Sequence, residues 1–374
     1  MTKEILTRRE CSAMRGIAIL AIMLHNYCHF IGSIVKENEY QYLRGNNELL
    51  WQAVGSPTEL LPVHLLSYFG HYGVAVFLFL SGFGLVKKYE EGGDGETSRT
   101  SRTSRTSRTS RTSCTGIARF LGYHYLKLLR MLIVGFVLFL MVDAVTPGRF
   151  AFHWENVVAQ LLMYINVLPE PDRIIWPGIY WFFGLMMELY IVYRLVIYRR
   201  SSVYVVGLIA VCWLLQALAE PDGELLNRLR YNFIGGMLPF GLGILLARAA
   251  AAQGTEKEAA GGGRILWGVT ALTATVAVFV MSFSFHSWLW IPVVIVIGTV
   301  AIVKSMPEGI LKLFMWFGGI SAAMFVAHPI ARKLFITVAW KQDIYDGLML
   351  YLIVTIALSW AVKQIIDHIP APRL

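Results

Sequence analysis

The feature that most constrains this chain is a succession of apolar stretches about twenty residues long, separated by short segments that hold most of its charge. A helix rises about 1.5 Å per residue and the hydrocarbon core of a bilayer is about 30 Å thick, so each stretch has the length of a membrane crossing. We place crossings near 13–34, 71–88, 119–142, 177–198, 202–219, 231–250, 264–284, 287–304, 311–331 and 344–366. The expected fold is an all-α polytopic membrane protein with about ten transmembrane helices, one integral-membrane domain over residues 1–374. Composition supports this. Only 15% of the residues are charged, against about 25% in soluble domains, and mean hydropathy is +0.56.

The net charge of +9 does not point to nucleic acid, because the basic residues form no single patch or stripe. They read as topology signals instead. With the N-terminus in the cytoplasm and alternating crossings, most of the 33 Lys and Arg, including Lys87, Lys88, Arg130, Arg199 and Arg248, fall on the cytoplasmic side. Both termini are then expected in the cytoplasm. Cys11, Cys28, Cys114 and Cys212 show no metal-ligand spacing, so no metal is expected.

Residues 98–112 repeat Ser-Arg-Thr five times. This tract has nothing apolar to bury and repels itself, so a disordered cytoplasmic loop is expected at about 89–116. A tether to anionic lipid is one reading of it; a tolerated loop expansion is the simpler one. Segments 35–70 and 143–176 are the longest outer ones and are expected to cover an outward-facing cavity, with 154–168 as a re-entrant or interfacial helix.

Ionisable residues inside apolar helices are costly and mark functional interiors. His25, Asn26 and His29 lie in the first crossing, and His25 and His29 share a helix face. Glu188 interrupts the fourth crossing, eleven residues from both Pro177 and Arg199. That puts His25 and Glu188 at similar depth, where a carboxylate can orient a histidine general base. The competing reading makes these residues interhelical hydrogen-bonding glue. His71 and His328 sit near crossing ends, where a structural role suffices for His71. Arg15, Lys127 and Arg130, near Lys87 and Lys88, form a basic ring that could hold a polyanion or simply anchor the chain.

Several segments resemble the acyltransferase-3 family of integral-membrane O-acyltransferases. Arg15 through His25 is similar to its first-helix arginine–histidine motif. Phe77-Leu-Phe79-Leu-Ser81-Gly82-Phe83 resembles its "FFxLSGF" helix. Tyr125-Leu-Lys127-Leu-Leu-Arg130 resembles the basic start of its third helix, and Trp181 through Glu188 to Tyr190 its "W…E…Y" segment. Ser321 through Phe325 to His328 is a looser match to a late family stretch.

The resemblance implies an acyl-CoA donor, most simply acetyl-CoA, on the cytoplasmic side of a bacterial inner membrane. It implies a glycan hydroxyl as acceptor from the outer side. Carried over, His25 is the catalytic histidine and Glu188 its acidic partner. Arg15, Lys127 and Arg130 are donor-binding, and Ser81 and Gly82 allow close helix packing, with Ser81 at the cavity. One departure stands out. Nine residues separate Arg15 from His25 where the family has ten, which turns the pair about 80° out of alignment and makes His29 an alternative base. A proton-coupled secondary transporter is the alternative function, but no internal duplication supports it; a glycan-export partner that lacks the reaction is another.

Overall fold

The computed structural model describes residues 5–91, 114–252, 263–341 and 343–373. The Ser-Arg-Thr tract lies outside the described residues. Among the described residues there are helices and no strands.

Counting helices of eight or more residues in chain order, the fold runs α1 (Arg8–Cys28), α2 (Arg44–Gly55), α3 (Leu61–Phe69), α4 (Gly73–Val86), α5 (Cys114–Val145) and α6 (Trp154–Leu161). It continues with α7 (Trp181–Val192), α8 (Ser202–Ala217), α9 (Glu224–Tyr231), α10 (Phe233–Ala252) and α11 (Arg264–Met281). The last three are α12 (Ile291–Ser305), α13 (Glu308–Lys341) and α14 (Ile344–His368).

Eight helical stretches among the described residues are long and apolar enough to cross a bilayer. Two shorter apolar helices, α8 and α12, coincide with the fifth and eighth expected crossings. Large apolar side chains such as Ile265, Leu272, Val276 and Val280 of α11 point out of the bundle. An apolar exterior of this extent requires lipid around it. The chain is an integral membrane protein.

Boundaries differ from the sequence reading for identifiable reasons. α1 starts at Arg8 because Thr7 and Glu10 form a reciprocal capping box, with Glu10 accepting from the Thr7 amide at 2.8 Å. The second crossing is longer than expected. Helix begins at Leu61, helped by a proline in its first turn, and passes through a 3-10 step at Gly70–Tyr72 into α4. α13 runs unbroken past Gly318 and Gly319, two residues that the sequence alone would allow to break it.

Gly318 instead permits contact. α1 packs most extensively on α13. A Cβ on Gly16 would lie 2.0 Å from the Phe314 carbonyl oxygen, and one on Gly318 would lie 1.9 Å from that of Ser12. The same reciprocity joins α4 to α10. A Cβ on Gly82 would meet the Phe240 carbonyl oxygen at 2.1 Å, and one on Gly243 that of Phe79 at 2.0 Å. Without a hydrophobic force between helices in lipid, such backbone-to-backbone approach is what holds the bundle.

Candidate active site

α1 carries His25 in its last turn and buries it against the α3–α4 junction. Gly70 makes the approach possible, since a Cβ there would lie 2.6 Å from that of His25. His25 Nδ1 lies 2.7 Å from the Ser67 carbonyl oxygen. A carbonyl only accepts, so Nδ1 carries the proton and the neutral ring keeps its lone pair on Nε2. Ser67 is itself fixed by donating its hydroxyl to the Val35 carbonyl at 2.6 Å.

His25 lines a cavity of about 280 Å³. α1 supplies His25 and Asn26, with His29 and Phe30 just beyond its end; the following loop supplies Glu37, Glu39 and Tyr40. Asp172, Trp176, Trp181, Phe182, Tyr231 and Arg332 complete much of the wall. Segments 35–70 and 143–176 thus both contribute, as expected of a cover over a cavity. Within 154–168 the chain forms α6 and a short 3-10 turn at Ile165–Val167.

The wall is aromatic with a few fixed polar groups, the usual make-up of a small-molecule site. Tyr40 stacks on Tyr231 at 3.9 Å and meets Trp181 edge-on at 5.5 Å. Tyr231 donates its hydroxyl to Asp172 at 2.5 Å, and the Asn227 amide donates to the same carboxylate at 2.9 Å.

Three histidines gather at this cavity. The His25 ring lies 5.3 Å from that of His29 and 5.6 Å from that of His71. His29 Nδ1 is 2.9 Å from Glu37 Oε2, and the Glu37 side chain is only 11% exposed. Burial alone would raise the Glu37 carboxyl, but His25, His29 and His71 around it win and hold it well below the ordinary carboxylate range. The two nitrogens of His71 have no hydrogen-bond partner among the described residues.

His25, His29 and Glu37 bring their donor atoms within 4.8 Å of one another, a set that could hold a divalent cation. The cysteine pattern gave no sign of it. The His29–Glu37 hydrogen bond already satisfies two of the three donors, so the set holds together without an ion.

Glu188 is placed elsewhere. Its Oε1 accepts from the Asn166 side-chain amide at 2.6 Å and its Oε2 from the Phe233 backbone amide at 2.7 Å. It therefore caps the start of α10, where a carboxylate suits the free amides and the helix dipole, and it does not line the His25 cavity. The structure does not bring it to His25; the carboxylate beside the histidines is Glu37.

The basic residues also separate. α1 is continuous from Arg8 to Cys28, so the ten-residue step from Arg15 to His25 spans about 15 Å. Arg15 is exposed and lines a second cleft, of about 420 Å³, with Arg8 and Lys87. Lys127 is exposed and feels the charges of Lys88, Arg15 and Arg130, so these cations form one electropositive surface. Arg130 donates to the Ile369 carbonyl at 3.0 Å. Ser81 is half-buried and lines neither the cavity nor the cleft.

Sequence reasoning missed Glu37, His71 and Arg332 as cavity residues. Arg332 had a signal, since it lies four residues after His328 on one apolar helix. Glu37 had none.

The fold and site together are those of a helical membrane bundle with a buried histidine facing an aromatic cavity. The family can be stated directly: residues 10–363 match the acyltransferase-3 profile, described as an acyltransferase domain, and the chain belongs to that family. It is a membrane acyltransferase. No curated protein and no solved structure matches the chain.

Proposed function

We propose that this acyltransferase moves an acyl group, most simply acetyl, from acyl-CoA to a hydroxyl of a cell-surface or exported glycan. The observation that carries the reading is His25. Its Nδ1 is pinned to the Ser67 carbonyl, and its Nε2 is left free in a cavity walled by aromatic rings.

In the reaction, His25 Nε2 takes the acceptor hydroxyl proton as that oxygen attacks the thioester carbonyl. The new O–C bond forms, the C–S bond breaks, and the departing thiolate receives the proton from His25. Glu37, buried beside the histidines, stabilises the imidazolium that forms and orients His29. Aromatic side chains suit the faces of a sugar ring. The cleft with Arg8, Arg15 and Lys87, together with Lys127 and Arg130, suits the phosphates of the donor. In a bacterial inner membrane with the N-terminus in the cytoplasm, that basic end faces the cytosolic donor and the Glu37 loop faces the acceptor.

The test is coenzyme A release by purified protein in nanodiscs, given acetyl-CoA and a mixed glycan acceptor. Acceptor-dependent release should vanish in His25→Ala and fall in Glu37→Gln with the fold intact. If His29→Ala abolished release while His25→Ala kept it, His29 would be the base. No release with any acceptor, and no thermal stabilisation by acetyl-CoA, would sink the reading and favour a transporter.

A further inference from the structure

Arg332 is 6% exposed on α13 and lines the His25 cavity. Both of its hydrogen bonds leave from Nη1, to Asn26 Oδ1 at 2.6 Å and to the Asn26 carbonyl at 3.4 Å. The guanidinium lies 3.8 Å over the Phe30 ring. Among the described residues no carboxylate pairs with it. Its neighbour Lys333, by contrast, pairs with Asp143.

The carboxylates of the cavity are accounted for. Glu37 is bound to His29, and Asp172 takes hydrogen bonds from Tyr231 and Asn227. Glu39 has Tyr40 and the Arg230 guanidinium beside it. A buried cation held only by neutral groups is costly, and in an apolar helix it marks a place where an anion is received. The guanidinium edge away from Asn26 offers the planar fork that grips a carboxylate or phosphate bidentately.

We propose that Arg332 makes this cavity a site for anionic acceptors: hydroxylated molecules, such as sugars, that carry a carboxylate or a phosphate. Resting on the acyl-transfer reading above, the proposal assigns Arg332 to hold the anion while a hydroxyl of the same molecule reaches His25, the neighbour of Asn26. The alternative is purely structural: Arg332 ties α13 to the C-terminal turn of α1. That role is indifferent to acceptor charge.

The experiment uses the full chain in nanodiscs with D-glucuronate, D-glucose 6-phosphate and D-glucose, read two ways. Thermal stabilisation without acetyl-CoA reports binding, and kcat/KM with acetyl-CoA reports transfer. Wild type should be stabilised by one or both anions and not by glucose, and the anion that binds tells carboxylate from phosphate. Its kcat/KM preference for that anion over glucose should be about 30-fold and collapse in Arg332→Gln, with partial recovery in Arg332→Lys. Equal stabilisation by anions and glucose would overturn the proposal, as would a preference unchanged in Arg332→Gln while both rates fall. If wild type binds the anions but transfers to none of the sugars, acyl transfer fails and the anion site stands.

Discussion

The bare Cα of Gly70 faces His25 so closely that a methyl group there would lie 2.6 Å from the His25 Cβ and 2.5 Å from the Ala21 carbonyl oxygen. Neither neighbour is the end of a flexible side chain. Gly70→Ala must therefore displace α1 from the α3–α4 junction and break the His25–Ser67 hydrogen bond. Transfer activity should fall roughly 100-fold, as expected when a catalytic group is misplaced by about 1 Å, with helix content unchanged by circular dichroism. Wild-type activity in this variant would show that the Ser67 carbonyl does not set the geometry of the base.

Glu188→Gln should act on stability first. The glutamine keeps one acceptor oxygen where two donors, Asn166 and the Phe233 amide, now converge. One of them is left unsatisfied, at a cost of about 1–3 kcal/mol. The midpoint of unfolding in detergent should drop, while the pH dependence of the remaining activity keeps its shape. A shifted pH profile without loss of stability would return Glu188 to a role in proton transfer.

The helix contact at Gly318 gives a prediction independent of the chemistry. Gly318→Ala places a methyl against the Ser12 backbone and should cost about 1–3 kcal/mol by overpacking. Gly319→Ala, with open space around it, should leave thermal stability in detergent near wild type. Equal effects of the two would mean that α1 and α13 do not touch through this face.

Glu39 supplies the pH dependence. Burial, then the nearby charge of Glu37, raises its carboxyl from 4.5 to about 8. Between those values the unfolded chain has released a proton that the folded chain retains, so stability falls as pH rises. Below 4.5 both states are protonated, and above about 8 both are ionised, so the curve is flat on either side. The melting temperature of wild type minus that of Glu39→Gln should decline across this window. Parallel curves would show that Glu39 ionises freely in the folded protein.

The crossings were legible in the sequence because lipid demands long apolar runs, and such runs are visible without any tertiary information. His25 was legible for the same reason, as an ionisable group interrupting one of them. Glu188 was equally visible, yet its surroundings were not. Its partners come from the 3-10 turn at Asn166 and from the first amide of α10, and no spacing reveals that a helix begins beside it. Glu37 was invisible because it lies on a polar loop after α1, where a glutamate is unremarkable until the chain folds it back onto His29.

The two glycine contacts of α1 have a mechanical consequence. On one flank, Gly16 and Gly318 set its backbone directly against α13. On the other, Gly70 and Gly73 do the same at the α3–α4 junction, with a Cβ on Gly73 falling 2.4 Å from the Ala18 carbonyl oxygen. A rod gripped by backbone on both flanks can neither slide nor roll. α1 is thus the fixed rod of this protein, and it sets where His25 stands in the cavity.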